Sequence, residues 1–188
     1  MTVANLSVQL AMVLATMLLF SGMLAVNEWM FRSLEFTPGI NFIYLPAGVR
    51  LLCTLLFAEA GAVGLLVVSW LVSFLLFFPG QFERPFWGGI IATVAPYLVY
   101  LGARNAWGLQ ASLANLTPAR LLVLVLAYSV ASPLLHHVYF AFQGQQDLWR
   151  GFVAMFIGDL TGTLLVIYTI KGLLSLTSRH VAGKPRPD

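Results

Sequence analysis

The chain has 188 residues, of which 60% are hydrophobic and only 9% are charged, and its formal net charge is +3. Soluble domains carry about a quarter charged residues, so this composition excludes a soluble globular protein, a disordered chain and a nucleic-acid-binding domain. The single cysteine, Cys53, excludes a disulfide scaffold. A mean hydropathy of +0.88 predicts that the solvent for most of the chain is lipid.

Apolar runs of about 20 residues, the length that crosses a hydrocarbon layer of roughly 30 Å, recur along the chain. We predict an all-α polytopic transmembrane helix bundle that forms one domain over residues 1–174. About six predicted spans follow in chain order at residues 6–26, 40–58, 60–78, 86–103, 119–142 and 151–174. Residues 175–188 form a predicted flexible, basic cytoplasmic tail, which is too short to hold an output domain.

The first two apolar runs each have an alternative interpretation. No Lys or Arg precedes the first apolar run, so the run is predicted to be an anchor and not a signal peptide. The second contains Pro46, Gly48 and Arg50, and only Glu59 separates it from the third. A full span is favoured over a re-entrant hairpin because about 18 residues at 1.5 Å each cover about 27 Å. Glu59 then marks a turn at the inner membrane surface.

Basic residues set the predicted orientation, because cytoplasmic loops collect Lys and Arg. The side predicted to be cytoplasmic carries Arg104, Arg120, Lys171, Arg179, Lys184 and Arg186. The opposite side carries Arg32, Arg84 and Arg150. With six spans, both termini are predicted to be cytoplasmic. Aromatic residues cluster at the ends assigned to the outer surface, where amphipathic rings prefer the headgroup zone.

Ionisable residues within the predicted spans form the candidate site: Arg50, His136, His137 and Asp159. A charge at the middle of a membrane helix costs about 2.5–3.5 kcal/mol and normally faces the bundle interior. Measured from the outer ends of their spans, Arg50 lies about 15 Å deep, Asp159 about 12 Å and the histidines about 8 Å. These depths predict one polar cluster in the outer half. Adjacent helical residues point about 100° apart, so one histidine can face the cluster while the other faces a neighbour.

Two interpretations of this cluster are open. In the first, Arg50 and Asp159 form a buried ion pair that fixes the second helix against the sixth, with no ligand. In the second, they line an outward-facing cleft in which Arg50 meets an anionic group and Asp159 orients it or takes a proton. No metal is predicted, because the histidines lack a ligand partner at i+4. No cofactor and no enzymatic activity are predicted either, because no nucleophile and base pair can be named.

Small residues predict where helices pack closely. Gly158 and Gly162 form a G-x-x-x-G in the sixth span, a spacing that lets another backbone approach. Pro46 and Gly48 are the corresponding packing residues of the second span. Because the glycines flank Asp159, the sixth helix is predicted to be central to the bundle.

Two segments resemble a known family. Residues 44–52, YLPAGVRLL, resemble the proline, small residue, glycine signature of the bacterial membrane-associated sensor (MASE) family, type one. Residues 158–166, GDLTGTLLV, resemble the Gly-Asp and apolar run of that family's closing helix. The resemblance implies a multi-span sensory domain of the bacterial cytoplasmic (inner) membrane, normally fused to a kinase or a cyclic-dinucleotide enzyme. Six spans are fewer than the family usually has.

The expected function is that of an integral inner-membrane protein of sensor-domain type. It binds a small ligand or a partner helix in its outer half and acts through a separate membrane protein partner or a homo-oligomer, with no nucleic acid involved. One alternative is a small transporter or substrate-capture subunit of a larger transport complex, which six spans in under 200 residues would suit. Another is an assembly factor held by its aromatic and glycine faces.

Overall fold

The computed structural model describes the backbone of residues 3–182 and the side chains of residues 6–176. Its long helices are α1 (Val3–Phe31), α2 (Leu45–Val72), α3 (Glu83–Trp107), α4 (Pro118–Phe142) and α5 (Leu148–Ala182). These five helices are long and apolar enough to cross a membrane. The predicted helical bundle is confirmed, and its composition fits a multi-pass membrane protein, in which helices satisfy their own backbone hydrogen bonds.

A break divides α2 into two halves. Ala58 has non-helical dihedral angles, with φ 48° and ψ −120°. Three residues later, Gly61 lies directly against the backbone of Cys53. In a straight helix these two residues would be about 12 Å apart along the axis, so the chain turns back at Ala58. The two halves of α2 pack side by side, and they correspond to the predicted segments 40–58 and 60–78.

A short β-hairpin precedes α2. After the 3₁₀ turn Arg32–Leu34, strands β1 (Glu35–Thr37) and β2 (Ile40–Asn41) pair antiparallel. Gly39, between them, has a φ of +85°, which glycine adopts without strain. The helix predicted to begin at residue 40 therefore begins at Leu45, because this hairpin occupies the preceding chain. We call the end of the bundle that carries it the hairpin end.

The last helix is longer than its predicted span. We expected the span to end at residue 174 and a flexible tail to follow over residues 175–188. Instead, α5 continues to Ala182. Residues 175–182 contain neither glycine nor proline, so nothing in this stretch breaks the helix. The rest of the predicted tail, 183–188, lies outside the described residues.

Local sequence signals set several helix ends. Gly108 follows α3 in the left-handed conformation that commonly ends a helix. Thr117 caps α4, because its hydroxyl accepts a hydrogen bond at 3.3 Å from a backbone N–H three residues later, and Pro118 takes the first helical position. A capping contact for α2 comes from another helix: the Leu45 N–H donates to Asn27 Oδ1 of α1 at 2.8 Å.

Small residues let α2 pack against α1, α3 and α5, as expected where lipid supplies no hydrophobic drive between helices. Gly64 lies against Thr16 of α1, and Gly89 of α3 lies against the indole of Trp70. Gly48 lies against α5. The first half of α2 is held to α5 at Gly48 and to α1 by the hydrogen bond from Leu45 to Asn27, whereas Gly64 belongs to the second half. These contacts fix the position of the side chains that the first half carries.

Candidate functional site: a polar cavity at the hairpin end

The segment that links β2 to α2 packs on the glycine face of α5. Gly158 lies directly against the carbonyl of Asn41, and Gly162 lies directly against the carbonyl of Tyr44. The Tyr44 N–H donates to the Gly158 carbonyl at 3.1 Å, and the Thr161 hydroxyl donates to another carbonyl of the segment at 3.0 Å. The close backbone approach predicted for the G-x-x-x-G is present, and the partner is an extended segment instead of a helix.

This packing brings Arg50 of α2 and Asp159 of α5 to one cavity of about 70 Å³. His136 of α4 also lines it, as do Asn41 and Tyr44. All five residues are buried. A single buried water needs on the order of 10–15 Å³, so the cavity has room for several waters or a small ligand.

The Arg50 guanidinium lies among aromatic side chains. Its central carbon is 5.2 Å from the ring centroid of Phe20 and 5.2 Å from that of Tyr44. Its Nη2 is 3.5 Å from the Tyr44 hydroxyl, at the limit of a hydrogen bond. The Tyr128 hydroxyl lies beside it without hydrogen-bond geometry, and Nε has no partner in the described part of the chain. Cation–π contacts stabilise this cation but leave its charge unneutralised.

Asp159 is only 1% exposed, and its Oδ2 has no hydrogen-bond partner in the described structure. The Ser132 hydroxyl lies beside the carboxylate, also without hydrogen-bond geometry. Between residues 6 and 176, Arg50 and Asp159 form no direct ion pair. The two charges face the same cavity without touching, which is not the arrangement that the ion-pair interpretation requires.

The two histidines face different neighbours. His136 Nδ1 is 2.9 Å from the Ser132 carbonyl, and His137 Nδ1 is 2.8 Å from the Pro133 carbonyl. Because a carbonyl only accepts, Nδ1 carries the donated proton in each contact. His136 lines the cavity with Arg50 and Asp159, whereas the ring of His137 packs on Gly151 of α5 and lies outside the cavity. The structure therefore brings three of the four candidate residues together.

Arg84, at the start of α3, lies across the cavity at the hairpin end. Its guanidinium carbon is 4.2 Å from the ring centroid of Phe78 and 5.7 Å from that of Phe140. Its Nη2 donates to the Pro38 carbonyl in the turn of the β-hairpin at 3.5 Å. These contacts join α3, α4 and the hairpin around the cavity, which Pro38, Phe78, Arg84 and Phe140 help to line.

Sequence reasoning missed several residues of the site. Tyr128 and Ser132 precede His136 at intervals of four in α4, and such a polar stripe on an apolar helix was a usable signal. Asn41 and Tyr44 had no such signal, because they belong to an extended segment whose contact with α5 is set by tertiary packing.

Outside the cavity, other polar positions have structural partners. Glu59, next to the break in α2, pairs with Arg104 of α3 at 3.8 Å, and both side chains are exposed. Within the described residues, no three His, Cys, Asp or Glu side chains are arranged to hold a metal ion. Comparison of the chain with protein-family models, with curated proteins and with solved structures finds no match.

Proposed function

We propose that this chain is an integral membrane protein of sensor-domain type. It binds a small polar ligand in the cavity lined by Arg50, His136 and Asp159, and it passes the signal to a separate protein partner. The observation that carries this proposal is a cavity of about 70 Å³ bordered by a buried cation and a buried anion with unsatisfied polar atoms. Buried polar groups are normally satisfied, so atoms left without partners at a cavity favour an occupant.

The sensor interpretation draws support from the positions of the two segments that resemble the MASE family, type one. Gly48, in the first segment, lies against Thr163 and Val166 of the second. Each segment also supplies one charged residue to the cavity, Arg50 from the first and Asp159 from the second. The segments that carry the resemblance thus build the proposed binding site together.

In our proposal the chain crosses the bacterial inner membrane six times, with both termini in the cytoplasm. In this arrangement each half of α2, on either side of the reversal at Ala58, is one crossing. Glu59, at the tip, meets Arg104, which lies about 31 Å along α3 from its first residue, so the tip is level with the far end of α3. We propose that the cavity lies toward the outer surface; the concentration of basic residues at the opposite end supports this orientation.

Cysteine labelling in membrane vesicles tests this topology. In a Cys53→Ala background, single cysteines are introduced at Glu59, Gln81, Gln110 and Gln143. An impermeant maleimide should label positions 59 and 110 from the cytoplasmic side and positions 81 and 143 from the outer side. Labelling of positions 59 and 81 from the same side would refute the six-crossing arrangement.

Analysis of bound small molecules tests the ligand. The protein is purified from membranes, washed and denatured, and the released molecules are identified by mass spectrometry. We expect a small polar molecule from the parent and from Glu59→Gln, which changes an exposed carboxylate remote from the cavity. Arg50→Gln and Asp159→Asn should lose it while still showing a cooperative melting transition.

The ligand proposal is wrong if two results occur together. The first is that the parent, Arg50→Gln and Asp159→Asn release the same molecules. The second is that the exchange variant, Arg50→Asp with Asp159→Arg, melts at the same temperature as the parent. The two charges would then have only a structural role.

A second candidate function is a transport subunit that lends its binding site to a larger complex. The observation that favours it is a proline inside a helix near the buried charges, because Pro133 lies in α4 one turn before His136. Helices interrupted by glycine or proline near buried charges are typical of transporter binding sites. Uptake of the released molecule into vesicles that contain this chain would favour transport, and binding without uptake would favour the sensor.

A further inference from the structure

The charges of the cavity define the chemistry of the ligand it would take. Arg50 is 8% exposed and Asp159 is 1% exposed, and both line the cavity. Arg50 Nε and Asp159 Oδ2 are each without a hydrogen-bond partner in the described structure. Since these residues form no direct ion pair in the part of the chain described, each leaves a buried charge that a ligand can meet.

Apart from Arg50 and Asp159 themselves, which face each other across the cavity, no neighbouring group among the residues that the structure describes neutralises either charge. Arg50 is surrounded by Phe20, Tyr44 and Tyr128, which are neutral aromatic side chains. Ser132, beside Asp159, offers a hydroxyl and no charge. Arg84 lies farther out, where it is engaged with aromatic rings and a carbonyl.

Two residues that line the cavity, Asn41 and Asp159, have acceptor atoms without a donor in the described structure. Asn41 belongs to the segment that packs directly on Gly158, the residue before Asp159, and its buried Oδ1 has no partner among the described atoms. A carboxylate oxygen and an amide oxygen without donors suit a group that carries several N–H donors, such as an ammonium. The unpaired Nε of Arg50 suits a carboxylate.

We propose that the ligand is a small zwitterion whose carboxylate meets Arg50 and whose ammonium meets Asp159 and Asn41. This inference rests on the proposed function, since it specifies the occupant of the same cavity. A simple anion would leave Asp159 unpaired and be repelled by it. A simple cation would leave Arg50 unpaired and be repelled in the same way. A volume of about 70 Å³ limits the occupant to a molecule of few heavy atoms.

Thermal melting of the purified protein in the presence of a set of probe molecules tests the inference. Glycine, β-alanine and γ-aminobutyrate carry the same two charges at increasing separation, and acetate, methylammonium and acetamide each lack at least one charge. We expect one amino acid of the series to raise the melting temperature saturably, with half-saturation at a concentration at least about tenfold below that of acetate or methylammonium.

Two variants test which charged group of the ligand meets which residue of the cavity. The melting temperature of Asp159→Asn should no longer rise with the amino acid and should rise with acetate, because Arg50 then remains without a facing anion. Arg50→Gln should lose the amino acid response and gain one to methylammonium. A purely structural role for either residue would not reverse probe selectivity in this way.

Three outcomes would overturn the inference. If acetate stabilises the parent as well as the best amino acid does, the cavity is an anion site, and the proposed ligand-binding function survives without the zwitterion. If no amino acid of the series stabilises the parent, the inference is wrong whatever molecule the purified protein releases. If both variants respond to the amino acid as the parent does, the ligand does not meet these charges.

Discussion

Replacement of Gly162 by alanine should destabilise the protein, whereas the same change at Gly172 in the same helix should not. A Cβ on Gly162 would collide with the carbonyl of Tyr44 and lie 2.8 Å from the backbone nitrogen of Leu45. A Cβ on Gly172 would meet nothing within 4 Å. The atoms in the way at Gly162 belong to the backbone, so no side-chain rotation can make room.

The magnitude follows from two opposing effects. Overpacking of a closely packed site costs about 1–3 kcal/mol, and displacement of the extended segment would also weaken the hydrogen bond from Tyr44 to Gly158, worth about 1 kcal/mol. Alanine recovers about 1 kcal/mol of helix propensity at either position. Gly162→Ala should therefore lose about 1–3 kcal/mol, and Gly172→Ala should gain up to about 1 kcal/mol.

Thermal unfolding in detergent, followed by tryptophan fluorescence, measures both variants against the parent. For a chain of this size about 1 kcal/mol corresponds to a melting shift of roughly 2–4 °C. Gly162→Ala should then melt several degrees below the parent, and Gly172→Ala at or slightly above it. Equal melting of Gly162→Ala and the parent would refute the close packing of the segment on α5. Equal losses in both variants would show that glycine matters to this helix for a reason other than that contact.

Three further predictions concern the helix contacts. Asn27→Ala should lower stability by about 1–2 kcal/mol because the buried N–H of Leu45 loses its acceptor; an unchanged melting temperature would contradict this. Gly89→Ala should destabilise because its Cβ would meet the Trp70 indole, and in combination with Trp70→Leu the loss should fall below the sum of the single losses by about 1 kcal/mol. Additive melting shifts would show that the two sites do not touch. Cys53 is buried, so a maleimide should label the folded protein about tenfold or more slowly than it labels a cysteine at Gln143 in a Cys53→Ala background. Equal labelling rates would argue against the packing of Gly61 over this part of α2.

Much of the candidate site could be anticipated from depth along the predicted helices. Arg50, His136 and Asp159 were expected together in the outer half of the bundle, and the structure brings all three to one cavity. Arg50 lies only about 8 Å along its helix, not 15 Å, because α2 begins at Leu45 instead of residue 40. Helical rise and angular spacing are regular, so distance along the chain translates into height and direction. His137 differs from His136 only by one step of rotation, and that step turns it away from the cavity onto Gly151.

What the sequence could not predict is how Arg50 and Asp159 face one another. Height alone cannot distinguish a direct ion pair from two charges across a cavity, because the lateral distance between helices depends on every contact in the bundle. Here the extended segment through Tyr44 packs on the glycines of α5, and Gly48 of α2 packs on Thr163 and Val166 of the same helix. No periodic pattern marks such a segment, since periodicity exists only where the backbone is regular.

The sequence by itself was enough to predict that most of the chain lies in lipid and that it folds as a bundle of helices. In lipid, the backbone N–H and C=O groups of an apolar run of membrane-spanning length can hydrogen-bond only to each other, and a helix satisfies them all. The sequence also determined which few residues carry charge into the bundle. The tertiary structure alone decided that an extended segment lies in the glycine groove of α5, and that Arg50 and Asp159 share a cavity without touching. These features arise from contacts between residues distant along the chain, whose separation is set by packing and not by local spacing.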